Sequence, residues 1–206
     1  MLFKLKKIIF IALLFSVVAS FSASYSRAEK ISPTFANTKA PKGGTFYYPL
    51  PSEPERLHPI NSSGLYSRYV QAYAIEGLMR TNPETYELEP HLAEKVVTAK
   101  DGMAYTFYLR KGVKFHNGEE LTADLVKWNY EARFDDGYQA FNVRPYLENV
   151  KNVEVIDKYT IKFNIKKKYF ANLDAIGSYS ILGIVPKSVY GDPKNKRANK
   201  KLVGTG

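Results

Sequence analysis

The sequence predicts a mixed α/β fold of the α+β kind, and three observations carry that prediction. Short segments with period-two alternation come in pairs joined by turn residues, as in Val153–Val155 with Ile161–Ile165, which is the pattern of antiparallel hairpins. Segments with helical spacing lie between them, so strands and helices are interleaved. The composition, 45% apolar and 24% charged over 206 residues, is that of an ordinary globular chain. It excludes a disordered chain, a collagen-like repeat and a multi-span membrane protein, and the length allows one or two domains.

The chain opens with a targeting pattern. Lys4, Lys6 and Lys7 precede Ile8–Phe21, which is apolar apart from Ser16 and Ser20, and small residues then lead to Ser26-Arg27-Ala28. This charged, apolar and small-residue order predicts a secretory signal cut after Ala28. The apolar run of 14 residues is short of the roughly 20 that a membrane-spanning helix needs. Cleavage leaves 178 residues and lowers the formal charge from +10 to +6, because the segment holds four basic residues and no acidic one. An excess of that size does not call for a nucleic-acid partner.

From Glu29 to Pro41 the chain reads as an extended lead-in, and Lys42-Gly43-Gly44 as a turn. Thr45–Leu50 is β-prone, and Pro49, Pro51, Pro54 and Pro59 confine it to an edge strand or a loop on a rim. Tyr66–Leu78 reads as a helix through Tyr66, Tyr69, Val70 and Tyr73, followed by a turn at Asn82–Thr85. Pro90–Ala99 is read as a short helix ended by Lys100-Asp101-Gly102. Tyr105, Phe107 and Leu109 alternate with Thr106, Tyr108 and Arg110, so a half-buried strand with Phe107 inside is expected. Val113–His116 is read as a second strand, closed by the turn Asn117-Gly118. Thr122 is the expected N-cap of a helix presenting Leu125, Trp128 and Ala132 on one face, with Asp124 favourable in its first turn. A hairpin turning at Asp157-Lys158 follows. Ala171–Ile184 is apolar and of undecided type, Pro186–Tyr190 opens a short helix, and Gly191–Lys201 is a basic loop.

Several chemistries are excluded or weakened. No cysteine is present, so thiol catalysis, disulfides and thiolate metal sites are ruled out. His58, His91 and His116 are too scattered to form a metal motif, and Asn117-Gly118 interrupts any helix near His116, Glu119 and Glu120. Ser178 and Ser180 sit in no Gly-x-Ser-x-Gly elbow, and no phosphate-cradling loop appears. Asn61-Ser62-Ser63 is a glycosylation triplet of low information. The basic and aromatic alternation of Phe107–Phe115 is that of strands with one apolar and one solvated face, and Lys166-Lys167-Lys168 and Lys194–Lys201 are solvated loops. No catalytic residue, metal site or cofactor is expected. The candidate ligand-binding residues are Tyr48, Pro49, Leu50, Pro51, Ser52 and Glu53, because a rim strand beside apolar side chains holds an extended peptide through main-chain hydrogen bonds. A domain edge without ligand is the alternative reading of the same residues.

Residues 88–126 carry a family pattern. Leu92-Ala93-Glu94 is followed by Asp101-Gly102, then by Tyr105-Thr106-Phe107-Tyr108-Leu109-Arg110-Lys111-Gly112-Val113-Lys114-Phe115-His116-Asn117-Gly118, and closes on Leu121-Thr122-Ala123-Asp124-Leu125-Val126. This resembles the bacterial extracellular solute-binding proteins of family 5, the periplasmic components of oligopeptide, dipeptide and nickel ABC importers. Ala74-Ile75-Glu76-Gly77-Leu78, Ile184–Tyr190 and Pro41-Lys42-Gly43-Gly44 resemble flanking family segments, and Leu125 departs from the acidic residue more usual there.

The resemblance implies a type II periplasmic binding protein-like architecture. Residues 1–28 would be the signal, 29–65 the start of the ligand-binding lobe, 66–150 an accessory subdomain and 151–206 the return to that lobe. It implies a chain stopping at the glycine-rich junction Gly204-Thr205-Gly206, with the second lobe absent. It further implies a periplasmic, monomeric and non-enzymatic protein that binds peptides for an inner-membrane ABC permease and takes no nucleic acid. Nickel or another small ligand, and a fragment without ligand function, are the alternatives. An exported hydrolase is disfavoured.

Overall fold

The computed structural model describes residues 43–45, 47–195, 198, 200 and 202–206. The targeting segment 1–28 and the lead-in to Pro41 lie outside them. Its main element is a four-stranded antiparallel sheet, built because four segments each place β-branched or aromatic residues at alternate positions. The strands are β3 (Ala93–Thr98), β4 (Ala104–Leu109), β5 (Val150–Asp157) and β6 (Thr160–Ile165), in the order β3-β4-β6-β5. The register pairs Phe107 with Ile161, Tyr105 with Phe163, and Val153 with Phe163, which gathers the apolar residues on one face. Phe107 and Phe163 are fully buried there and meet edge to face at 5.8 Å. Helix α2 (Ala123–Ala132) covers this face, with Tyr130 against Phe163 at 6.0 Å. On the opposite face Glu154 pairs with Lys162, and Lys95 lies 5.5 Å from the Tyr108 ring centre.

The remaining elements are α1 (Leu65–Gln71), a two-stranded ribbon β1 (Met79–Thr81) and β2 (Leu88–Pro90), and a 3-10 turn at Asp136–Tyr138. They are completed by α3 (Arg144–Leu147), α4 (Asn172–Gly177), α5 (Tyr179–Leu182) and α6 (Lys187–Tyr190). Tyr47–Gly206 forms one compact unit. The mixed α/β class, the β4 phase, the β5–β6 hairpin, the Thr122 cap and the Pro186 helix start all agree with the sequence. The Thr122 hydroxyl accepts from the Leu125 N–H at 3.3 Å. The undecided stretch Ala171–Ile184 is two short helices.

Three expectations are corrected. Pro90–Ala99 is not a helix: its Ala93–Thr98 is strand β3, because Val96 pairs opposite Phe107 and sheet pairing overrides a weak local preference. Val113–His116 is not a strand but a loop with a single bridge between Lys114 and Glu120, folded back by bonds from Phe115 N to Glu119 O and Gly118 N to Phe115 O. Gly118 takes φ +87°, which ends any extended run, and Phe115 plugs the core instead. The helix expected through Leu78 stops at Gln71, and its buried residues are Ser67 and Gln71, while Tyr69 and Tyr73 are exposed. Of the two readings of Thr45–Leu50, edge strand or rim loop, the described residues take the loop, consistent with the donors that Pro49 and Pro51 remove from the backbone. The sheet also runs across residue 150, joining β3 and β4 to β5 and β6.

Candidate functional site

The site is positioned from α2 outward. Asn129, fully buried on that helix, donates from Nδ2 to Leu125 O (3.0 Å) and Val185 O (2.9 Å) and accepts the Val185 N–H at Oδ1 (3.1 Å). One turn on, Arg133 donates from Nη1 to Asn129 O (2.9 Å) and from Nη2 to Gly183 O (2.7 Å). These two side chains fix Gly183–Val185, whose Ile184 N–H in turn donates to Glu76 O at 2.9 Å. A second constraint holds the preceding corner at Gly177–Tyr179. A Cβ on Gly77 would stand 2.2 Å from Gly177 O, and one on Gly177 would stand 2.5 Å from Met79 Cγ. Only two glycines let the corner between α4 and α5 approach the backbone before β1 this closely. Glu76 and Tyr179 are thereby brought to one place.

The buried brace has an unusual charge balance. Burial lowers the Arg133 guanidinium to about 9, which still leaves it charged at neutral pH. Among the described residues no carboxylate pairs with it. His58 packs nearby between Tyr138 and Tyr190, at 6.0 and 5.1 Å between ring centres. Burial and then the Arg133 charge push the His58 imidazole down to about 4, so it is neutral at physiological pH. Tyr138 donates from its hydroxyl to Tyr190 O at 2.8 Å, and burial raises that phenol to about 12.

A cavity of about 400 Å³ is lined among others by Ile75, Glu76, Arg80, His91, Ser178 and Tyr179. That is within the range of small-ligand sites. His91 Nε2 lies 2.5 Å from Glu76 Oε1, and Arg80 Nε donates to Glu89 Oε1 at 2.6 Å. A smaller depression of about 20 Å³ shares Tyr179 with it and is lined by Ile60, Ser62, Arg68, Gln71, Asn142 and Ser180, among others. Together they make a shelf with a carboxylate–imidazole pair in one depression and a guanidinium, two amides and three hydroxyls in the other. Such groups match the amide, ammonium and carboxylate groups of a peptide-like ligand. No nucleophilic hydroxyl is hydrogen-bonded to His91, and no group of three or more His, Asp or Glu converges, among the described residues.

The residues picked out by sequence fall at different places. Pro51, Ser52 and Glu53 are exposed, Tyr48 is 57% exposed, and Pro49 and Leu50 lie between them on the same irregular segment. None of the six lines either depression. The segment leads to Leu57, whose carbonyl accepts from Gln71 Nε2 at 3.4 Å, and then to Ile60 and Ser62 of the shelf. The three histidines do stay apart: His58 is in the brace, His91 in the cavity, and exposed His116 bonds Gly206 O at 2.8 Å. Arg68, Gln71, Glu76, Asn142 and Tyr179 were not legible as site residues. The one available signal was the glycine at 77, directly after Glu76 in a segment of family character.

The chain is similar to proteins of one family. The profile of "Bacterial extracellular solute-binding proteins, family 5 Middle" matches residues 87–206, more than half of the chain. The oligopeptide-binding protein AppA of Bacillus subtilis is 29% identical over 213 residues, covering 100% of this chain and 37% of AppA. The di/tripeptide-binding protein 4 of Pseudomonas aeruginosa is 32% identical over 63% of this chain and 28% of its own length. Among solved structures, the periplasmic binding protein DppA of Helicobacter pylori in complex with the peptide STSA is 26% identical with a TM-score of 0.65, covering 75% of this chain and 34% of DppA. NikA of Brucella suis, in complex with Fe(III)-EDTA, is 27% identical with a TM-score of 0.66, over 76% of this chain and 31% of NikA. The chain thus spans little more than a third, or less, of the length of these relatives.

Proposed function

The chain belongs to the bacterial extracellular solute-binding proteins of family 5, and from that premise we propose that it captures peptides outside the cytoplasmic membrane and delivers them to the permease of an ABC importer. The observation that carries this reading is the similarity to an oligopeptide-binding protein along the whole of this chain. The shelf supports it chemically. A peptide of variable sequence is held through groups every peptide shares, and Arg68, Gln71, Asn142 and Ser180 offer donors and acceptors to such groups. The role is binding, not catalysis. Closure of a second wall over the shelf would complete burial of the ligand, a hinge motion driven by the ligand's preference for the closed state. Tyr48, Pro49, Leu50, Pro51, Ser52 and Glu53 form the outer rim of the peptide path in this reading. Export by a signal cleaved after Ala28, a periplasmic location and action as a monomer complete it. Calorimetric titration with a pool of short peptides tests the proposal. Saturable heat from peptides, and none from the same amino acids in free form, is expected. Equal heats from both would overturn it.

A further inference from the structure

The loop between β6 and α4 has features that ligand capture does not use. Lys166, Lys167 and Lys168 are all exposed, and Lys151 joins them because the register sets Val150 opposite Ile165. Tyr169 and Phe170 follow, 56% and 91% exposed, with their rings 4.6 Å apart. A floppy loop would explain such exposure without function, but the backbone here is clamped. The Lys167 carbonyl accepts from Asn149 Nδ2 (2.5 Å) and from Asn172 Nδ2 (3.0 Å), and Asn172 is itself buried. Asn149 also donates to Asn172 Oδ1 (2.7 Å), and the Asn172 N–H donates to Tyr169 O (3.1 Å). The loop is a built knuckle that presents cations and aromatic rings together.

Exposed acidic groups nearby are Glu148, Asp174, Asp101 and Glu154, the last two lining one depression with Lys151. None comes within ion-pair distance of these four lysines among the described residues. Lys166 Nζ instead donates to the Glu148 carbonyl oxygen at 2.7 Å, and the Lys168 stem lies over Gly102. The geometry points to this knuckle as a docking site for the surface of an anionic phospholipid bilayer. Flexible cations meet diffuse negative charge there, while amphipathic and apolar rings settle at the headgroup boundary. A single loop is too small for the roughly 800 Å² per partner of a specific protein interface, which favours lipid over an acidic protein. Each lysine near such a surface adds about fivefold to partitioning, so reversing two of them lowers it by well over tenfold.

The chain has no cysteine, so one introduced residue accepts a unique environment-sensitive label. Tyr169→Cys carrying a nitrobenzoxadiazole group reads the knuckle locally, and Lys114→Cys is the control. With vesicles of phosphatidylcholine containing about 30% phosphatidylglycerol, the label at 169 should brighten severalfold and shift to the blue. It should respond little to pure phosphatidylcholine or in high salt. Lys167→Glu with Lys168→Glu should weaken the titration by at least tenfold, while Lys111→Glu with Lys114→Glu, an equal change in net charge, should leave it within about twofold. A silent label at 169, an equal response to neutral vesicles, an equal effect of the two double reversals, or quenching only by an acidic protein would each overturn the proposal.

Discussion

Lowering the pH from 7 to 4 should destabilise this protein through one histidine. His58 is 1% exposed, and its Nδ1 accepts the Ile60 N–H at 3.3 Å, so the neutral ring carries its proton on Nε2. Protonating Nδ1 would break that bond and place a second positive charge beside buried Arg133. Burial first, and Arg133 second, hold the native imidazole near 4 against 6.5 in the unfolded chain. The unfolded state therefore binds the proton first. Stability is complete above about pH 6.5 and is lost as the pH falls toward 4. A gap of that size corresponds to about 3 kcal/mol. Urea unfolding at pH 7 and pH 4, for the natural chain and for His58→Gln, isolates the effect, since the carboxylates titrate alike in both. The natural chain should lose about 3 kcal/mol more than the variant. Parallel losses, or a larger loss in the variant, would refute the reasoning.

Phe107→Ala should cost roughly 3–5 kcal/mol in the same assay, because a fully buried ring at the centre of the sheet leaves a cavity; a loss under 1 kcal/mol would contradict the observed register. Gly77→Ala should cost on the order of 1–3 kcal/mol, as its Cβ would collide with Gly177 O; unchanged stability would mean that the α4–α5 corner yields freely. Mass spectrometry of the exported protein should show Glu29 as its first residue, and an intact Met1 in the membrane fraction would refute the expected cleavage.

What was legible in the sequence follows the physics of each segment. The alternation in Tyr105–Leu109 and Ile161–Ile165 reports a sheet with one face buried, and both strands form with the expected phase. The Thr122 cap is local chemistry, readable because the hydroxyl and the N–H it accepts from lie three residues apart. Strand β3 was misread because Glu94, Lys95, Val97 and Thr98 are all exposed on a sheet edge, so burial leaves little periodicity there. Helix α1 was overextended because exposed tyrosines at 69 and 73 imitate an apolar stripe, while the side that is buried carries Ser67 and Gln71. The shelf was mostly hidden for a different reason. Glu76 meets His91, 15 residues away, and Tyr179, about a hundred residues on, only because Asn129 and Arg133 fix Gly183–Val185 and two glycines permit contact. Long-range assembly of that kind leaves no spacing in the chain to read.

The most direct test of peptide capture at this shelf is photo-crosslinking with a pool of short peptides bearing a benzophenone, followed by mapping of the adducts. The proposed peptide path predicts adducts in Tyr48–Glu53, in residues 57–71 and 142–143 and around Ser178–Ile181, all suppressed by excess unlabelled peptide and not by free amino acids. Adducts confined to the solvated face of the sheet around Glu154 and Lys162, or adducts that excess peptide leaves undiminished, would contradict it.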